Sequence, residues 1–136
     1  MDINNKLKLF LFSVTLLILL PEILVAHHAN CQDVHAAAYL DEPFELAMLF
    51  SHGADQNCRD EFDQTPLITA TNGASLRSMK MLLKQGVNVN SRDEIGETAL
   101  TKALQKMTFF DMKGGKNYHQ IYQKIINLLV QAGATE

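Results

Sequence analysis

The hydrophobic and polar positions divide the chain into an apolar run near the N-terminus and a longer region with helical spacing. The run covers residues 9–20 and contains only two hydroxyl side chains. In the longer region, apolar residues recur three and four positions apart, as at Met79, Leu82 and Leu83. This spacing places them on one face of a helix. The pattern therefore predicts short amphipathic helices, each with one face to bury.

The region that follows the apolar run repeats itself at a period of about 33 residues. Self-similarity at a fixed period of this length indicates a repeat protein, in which each helix pair buries its apolar face against the next pair. The matching positions are Asp60 with Asp93, Thr65 with Thr98, Leu67 with Leu100, Ala70 with Ala103, and Gly53 with Gly86.

The most regular copy, residues 60–92, carries a recognisable motif. Residues 65–70 read TPLITA, and residues 82–86 read LLKQG. This stretch resembles the ankyrin repeat, with its T-P-L-x-x-A and L-L-x-x-G patterns. The resemblance implies an all-α repeat solenoid of three helix-turn-helix repeats joined by short β-hairpin loops. It also implies that the protein binds other proteins along the hairpin tips and the neighbouring first helices.

Three such repeats are expected to form one domain over residues 27–136. The first is the most degenerate, with VHAA at residues 34–37 in place of the family's L-H-x-A. Its second helix is predicted over residues 43–51, because Pro43 suits a first helical turn. In the second repeat, Thr65 and Ser75 are placed to cap the two helices. By the period, the repeats cover about residues 27–59, 60–92 and 93–136.

The third repeat is longer than the other two. Gly133, which closes it, comes about 14 residues later than the repeat period requires. We expect this insertion around residues 107–120, where it would lengthen both helices into a protruding hairpin. Gly114 and Gly115 are the expected turn.

Residues 1–26 have the features of an export signal. Lys6 and Lys8 precede the apolar run, Pro21 ends it, and the small residue Ala26 follows. This order is typical of a secretory signal peptide, and a run of this length is shorter than the roughly 20 residues that span a bilayer. We expect a cleaved signal and a periplasmic or secreted protein. An uncleaved signal helix that anchors the chain in a membrane and a buried core helix are the alternatives.

Charge and motif content narrow the function classes. The chain has 12 basic and 15 acidic residues, which gives no basic footprint for nucleic acid. It carries no G-x-S-x-G, no phosphate-binding loop and no H-E-x-x-H. We therefore expect neither an enzyme nor a cofactor.

The loops between repeats supply the candidate partner contacts. By the family resemblance, their tips offer Arg59 and Phe62 in one turn and Arg92 and Ile95 in the next. Phe62 and Ile95 are the stronger candidates, because binding hot spots need apolar or aromatic anchors. The alternative is that the aspartates of these turns serve the turns themselves and that the charged side chains are merely solvated.

The insertion supplies a second apolar patch. Phe109 and Phe110 are adjacent, so a helix cannot direct both of them towards the same core. We expect one to be exposed or sealed under the hairpin turn. The aromatic residues of the insertion either pack the two long helices together or form a knob that binds a partner.

Cysteine and histidine residues gather near the start of the first repeat. An even cysteine count in an exported chain suggests a disulfide between Cys31 and Cys58, although the sequence equally allows two free thiols. Three histidines and a cysteine are close together in the sequence, namely His27, His28, Cys31 and His35. The imidazole nitrogens of the histidines suit copper or nickel. Their spacing matches no recognised zinc site, so we assign no metal.

These features together predict an exported, monomeric, non-catalytic module for protein–protein interaction, whose partner is another protein. We expect contact with a membrane only if the signal segment stays uncleaved. One alternative within the same class is an inhibitor or immunity-type protein that masks an exported enzyme or toxin. An alternative from a different class is a metal-handling or redox protein that uses the N-terminal His/Cys cluster.

Overall fold

The computed structural model describes residues 30–135. The predicted signal, residues 1–26, and two histidines, His27 and His28, lie outside the described residues. Within residues 30–135 there are six α-helices and no strand, and none of these helices has the length and apolar character that crossing a membrane requires. The helices are α1 Cys31–Tyr39, α2 Pro43–Ser51, α3 Pro66–Asn72, α4 Leu76–Lys84, α5 Ala99–Met112 and α6 Lys116–Gln131.

The first helix of every repeat begins with the same kind of cap. Asn30, Thr65 and Thr98 have extended backbones, and each side chain accepts a hydrogen bond from the backbone N–H three residues later. Such a cap satisfies one of the N–H groups that a helix start leaves without an intrahelical partner. The three caps therefore fix where α1, α3 and α5 begin.

The helices form two layers, which confirms the predicted all-α repeat solenoid. The first helices α1, α3 and α5 pack side by side in one layer, and the second helices α2, α4 and α6 form the other. The layer of first helices buries the same two sequence positions in every repeat. Equivalent residues in successive repeats are one repeat period apart. These are Val34, Leu67 and Leu100, and Ala37, Ala70 and Ala103. The second layer closes the core with Leu46, Met79, Leu82, Ile125 and Leu129.

The loops between repeats are tight turns rather than strand-forming β-hairpins. Each turn is closed by two backbone hydrogen bonds. In the first, Asp60 N donates to Gln64 O (3.2 Å) and Asp63 N to Asp60 O (3.1 Å); in the second, Asp93 N donates to Glu97 O (3.0 Å) and Gly96 N to Asp93 O (2.9 Å). The Oδ1 atom of Asp60 also accepts hydrogen bonds from the backbone N–H groups of Phe62 and Gln64, both at 2.9 Å. Because the side chain occupies these donors, no strand ladder forms at these loops.

The third repeat places its extra residues equally in its two helices. Helix α5 has 14 residues against seven in α3, and α6 has 16 against nine in α4. The chain reverses at Gly114 and Gly115, and Gly114 has a positive φ of 72°. The extra turns of both helices extend beyond the neighbouring repeat as a helical hairpin.

One predicted cap is wrong. Ser75 occupies the N-cap position of α4, but its side chain does not bond to that helix. Its hydroxyl donates instead to the carbonyl oxygen of Tyr39 in the first repeat, at 2.6 Å. The close approach of the two repeats at this point draws the hydroxyl away from the helix end.

Candidate functional site

The two turns between repeats lie next to one another and form what we call the turn row, residues 59–64 and 92–97. Arg59 donates from Nη1 to the carbonyl oxygens of Asp63 and Arg92, both at 2.6 Å. Arg92 donates in the same way to Gly96 O at 2.7 Å. Both arginines therefore hold the turns, and Arg59 also ties one turn to the next. Both residues are nevertheless exposed, and their contact with a partner stays a prediction.

The tips of the turn row present two apolar side chains. Phe62 is 50% exposed and Ile95 is 68% exposed. The tips are tied by a hydrogen bond from Glu94 N to Phe62 O at 3.2 Å. The aspartates serve the turns, as one of the sequence interpretations held, because Asp93 Oδ1 accepts from Ile95 N and Glu97 N as Asp60 does in its own turn. Phe62 and Ile95 are therefore the large apolar side chains that the two tips present to solvent.

A buried ion pair supports the second turn from behind. Lys102 Nζ lies 3.0 Å from Asp93 Oδ2 and also pairs with Glu97. Burial on its own would raise the pKa of Asp93, but the hydrogen bonds from Glu97 N–H and Lys102 outweigh it and lower the pKa below the ordinary value. The hydrogen bonds from Lys102 and Gln105 lower the pKa of Glu97 as well. Both carboxylates are therefore charged at neutral pH and stabilise the turn.

The α5–α6 hairpin separates the two adjacent phenylalanines. Phe110 stacks between the helices on Tyr118 and Tyr122, with ring centroids 4.5 Å and 5.8 Å away. Phe109 is 54% exposed, and Met112 on the same helix is 81% exposed. Phe110 thus packs the hairpin, whereas Phe109 and Met112 form a small exposed apolar patch near its tip.

The structure joins Cys31 and Cys58 in a disulfide, with Cα atoms 5.8 Å apart. The bond links the start of α1 to the loop that follows α2, so it closes the first repeat. His35 lies one helical turn after Cys31 and is buried beside Thr69 and Asp60. The two sulfur atoms and a ring nitrogen of His35 all lie within 4.8 Å of one another. Among residues 30–135 this is the group whose ligand atoms could hold a metal ion.

Sequence reasoning overlooked an exposed aromatic residue at the other end of the first repeat. Phe44, in the first turn of α2, is 77% exposed. Its signal in the sequence was its position two residues before Leu46, because residues two apart on a helix do not share a face and Leu46 faces the core. It does not belong to the turn row, which makes it a useful control position.

Comparison with protein families identifies the family of the chain. No curated protein matches the chain significantly. A family model described as ankyrin repeats in three copies matches residues 34–135, which is well over half of the 136-residue chain. Ankyrin repeats are generally modules for protein–protein interaction and are typically non-catalytic. Apart from the first three residues of α1, the matched range contains the three helix pairs described above, and the chain belongs to the ankyrin-repeat family.

Proposed function

We propose that the chain is an exported, non-catalytic module that binds a partner protein through the turn row. The observation that carries this proposal is the exposure of Phe62 and Ile95 at two tips that a backbone hydrogen bond holds in register. Large apolar side chains at rigid positions lose little conformational entropy on binding. They are therefore suited to anchor a partner.

The surroundings of the two tips favour a specific interface. Glu61 and Glu94 precede the apolar residues in the two turns and are exposed. An apolar centre with a charged rim is the usual composition of a protein–protein interface. Arg59 and Arg92 are exposed in the same row, so the rim carries charges of both signs. It therefore favours a partner with complementary charges around an apolar patch, because charge complementarity speeds association and fixes the orientation of the partner.

We infer export from the sequence of residues 1–26, and the disulfide between Cys31 and Cys58 supports this inference. Disulfides persist in oxidising compartments and are rare in the cytosol. We infer that the signal is cleaved after Ala26 and that the mature protein is periplasmic or secreted. The intact mass of the chain purified from its own compartment tests this inference. A mass that still includes residues 1–26 favours the membrane-anchored alternative.

The binding proposal is tested by capture with the full chain followed by rebinding of each purified partner. The test variant is Phe62→Asp combined with Ile95→Asp, which places charge at the anchors without touching the buried core. We expect partner affinity to fall at least about a hundredfold, because hot-spot truncations cost about 2 kcal/mol or more each. Phe44→Asp is the matched control and should bind like the unchanged chain.

Two results would count against the turn row as the binding surface. One is a folded double variant that keeps every partner at unchanged affinity. The other is an equal loss in the Phe44→Asp control. If a captured partner is an enzyme or toxin, assaying its activity in the complex separates an inhibitor or immunity-type role from simple binding.

A further inference from the structure

The first repeat contains a cluster of metal-ligating side chains that the proposed function does not use. Cys31 and His35 lie four residues apart on α1 and therefore share one face of the helix. Cys58 approaches the same face from the loop after α2. Two cysteine sulfurs and an imidazole nitrogen make up three of the four ligands of a typical zinc site. The fold brings them within 4.8 Å of one another.

The imidazole of His35 is held in the manner of a metal ligand. The residue is only 7% exposed, and its Nδ1 lies 2.6 Å from the hydroxyl of Thr69 and 3.8 Å from Asp60 Oδ2. Its Nε2 is buried and has no hydrogen-bond partner within residues 30–135. Metal-bound histidines commonly use one ring nitrogen as ligand and anchor the other to a hydroxyl, carbonyl or carboxylate group.

A buried nitrogen without a partner costs free energy, which a bound cation would offset. Burial lowers the pKa of His35, although the Asp60 carboxylate and the Cys58 backbone carbonyl oppose this shift.

The cluster is also accessible. A cavity of about 580 Å³ lies beside it and is lined by residues that include Cys31, His35, Arg59 and Asp60. A hydrated ion has room to enter there, and a water molecule has room to occupy the fourth ligand position. The carboxylate of Asp60 at the cavity wall adds a negative charge that favours a divalent cation.

We propose that the reduced chain binds Zn²⁺ through Cys31, Cys58 and His35, and that oxidation to the disulfide closes this site. A dithiol reductant opens the disulfide by supplying two electrons and two protons, and is itself oxidised to a disulfide. Binding of Zn²⁺ then forms two Zn–S bonds and one Zn–N bond, and the two thiol protons are released to solvent. The sulfurs need a separation of about 3.8 Å around a tetrahedral ion with Zn–S bonds of about 2.3 Å.

The disulfide and the metal exclude each other, because both use the same two sulfur atoms. The redox state of the compartment therefore decides which form exists. This inference is independent of the turn row, so its test can fail while the proposed binding surface stands.

The test uses the full chain and Co²⁺ as a spectroscopic probe for Zn²⁺. The chain is reduced with a phosphine, which does not compete as a thiol ligand, and is titrated beside an oxidised sample. We expect the reduced chain to bind one equivalent with a thiolate-to-cobalt charge-transfer band that Zn²⁺ abolishes. The oxidised chain should give no such band. A reduced chain that shows no band overturns the proposal.

Variants separate the site from other sources of metal binding. Cys31→Ser and Cys58→Ser should each weaken binding at least about tenfold, whereas His27→Gln combined with His28→Gln should leave it unchanged. His35→Gln should also weaken binding. If His35→Gln does not fold, Thr69→Val provides the second test, because it removes the hydrogen bond that positions the ring. Binding that survives loss of the His35 ligand, or that requires His27 and His28, contradicts the assignment.

Discussion

The carboxylate of Asp41 accepts a hydrogen bond from the backbone N–H of Ser78 at 2.8 Å, and so one repeat caps a helix of the next. Asp41 lies in the turn between α1 and α2, and Ser78 is the third residue of α4. In return, Ser75 of the second repeat donates its hydroxyl to Tyr39 O in the first. At this junction two hydrogen bonds therefore join the two repeats, in addition to their apolar packing.

The Asp41 cap is tested by two substitutions that differ only in whether an acceptor remains. Asp41 has a positive φ of 59°, which glycine and asparagine both tolerate. We expect Asp41→Gly to lower the free energy of unfolding by about 1 kcal/mol, because the N–H of Ser78 loses its partner. Asp41→Asn keeps Oδ1 and should unfold like the unchanged chain in urea. Equal stability of the Gly and Asn variants would show that the bond contributes nothing.

The adjacent phenylalanines of α5 should differ strongly in their effect on stability. Phe110→Ala removes a ring that stacks on Tyr118 and Tyr122, so we expect a loss of about 2–3 kcal/mol. Phe109→Ala removes a half-exposed ring and should cost less than about 1 kcal/mol. Urea unfolding of the two variants in parallel measures the difference. A larger loss for Phe109→Ala would contradict the packing of the hairpin.

Acid should weaken the third repeat through Asp93 and Glu97. Both carboxyls have a pKa lowered in the folded state, so their contribution to stability is present above the ordinary pKa of about 4 and is lost as pH falls through the lowered values.

Lys102→Met should lower the free energy of unfolding by about 2 kcal/mol at neutral pH, because Asp93 is buried and loses its cation. The difference from the unchanged chain should shrink in strong acid. Lys106→Met, four residues along α5, is the control and should give a parallel pH profile. A constant difference at every pH would argue against the ion pair as the cause.

The disulfide should stabilise the first repeat measurably. It closes a loop with a sequence separation of 27, for which loop entropy predicts about 3 kcal/mol. Reduction of the unchanged chain in metal-free buffer should therefore lower the free energy of unfolding by about that amount. The double variant Cys31→Ala and Cys58→Ala should start at the lower stability and show no response to the reductant. A reductant response in this variant would point to an effect other than the disulfide.

Much of the fold was predictable because many buried apolar residues occupy the same position in successive repeats. Val34, Leu67 and Leu100 are spaced by the period and are buried together, so the repeat in the sequence maps directly onto the core. The candidate site was predictable in part. Phe62 and Ile95 were singled out from their turn positions, but the bond from Arg59 to Arg92 O was not foreseen. A periodic pattern does not show which donors and acceptors of two repeats meet.

The sequence by itself determined the number of repeats, the Thr65 cap and the repeated apolar positions of the core. These depend on local chemistry and on a fixed period. Only the tertiary structure decided the polar and sulfur contacts between unlike positions, both across repeats and within the first repeat. Asp41 meets Ser78, His35 meets Thr69, and Cys31 and Cys58 meet beside His35. The physical reason is that a polar contact needs two specific atoms within about 3 Å, and the distance between such atoms is set by how the repeats stack.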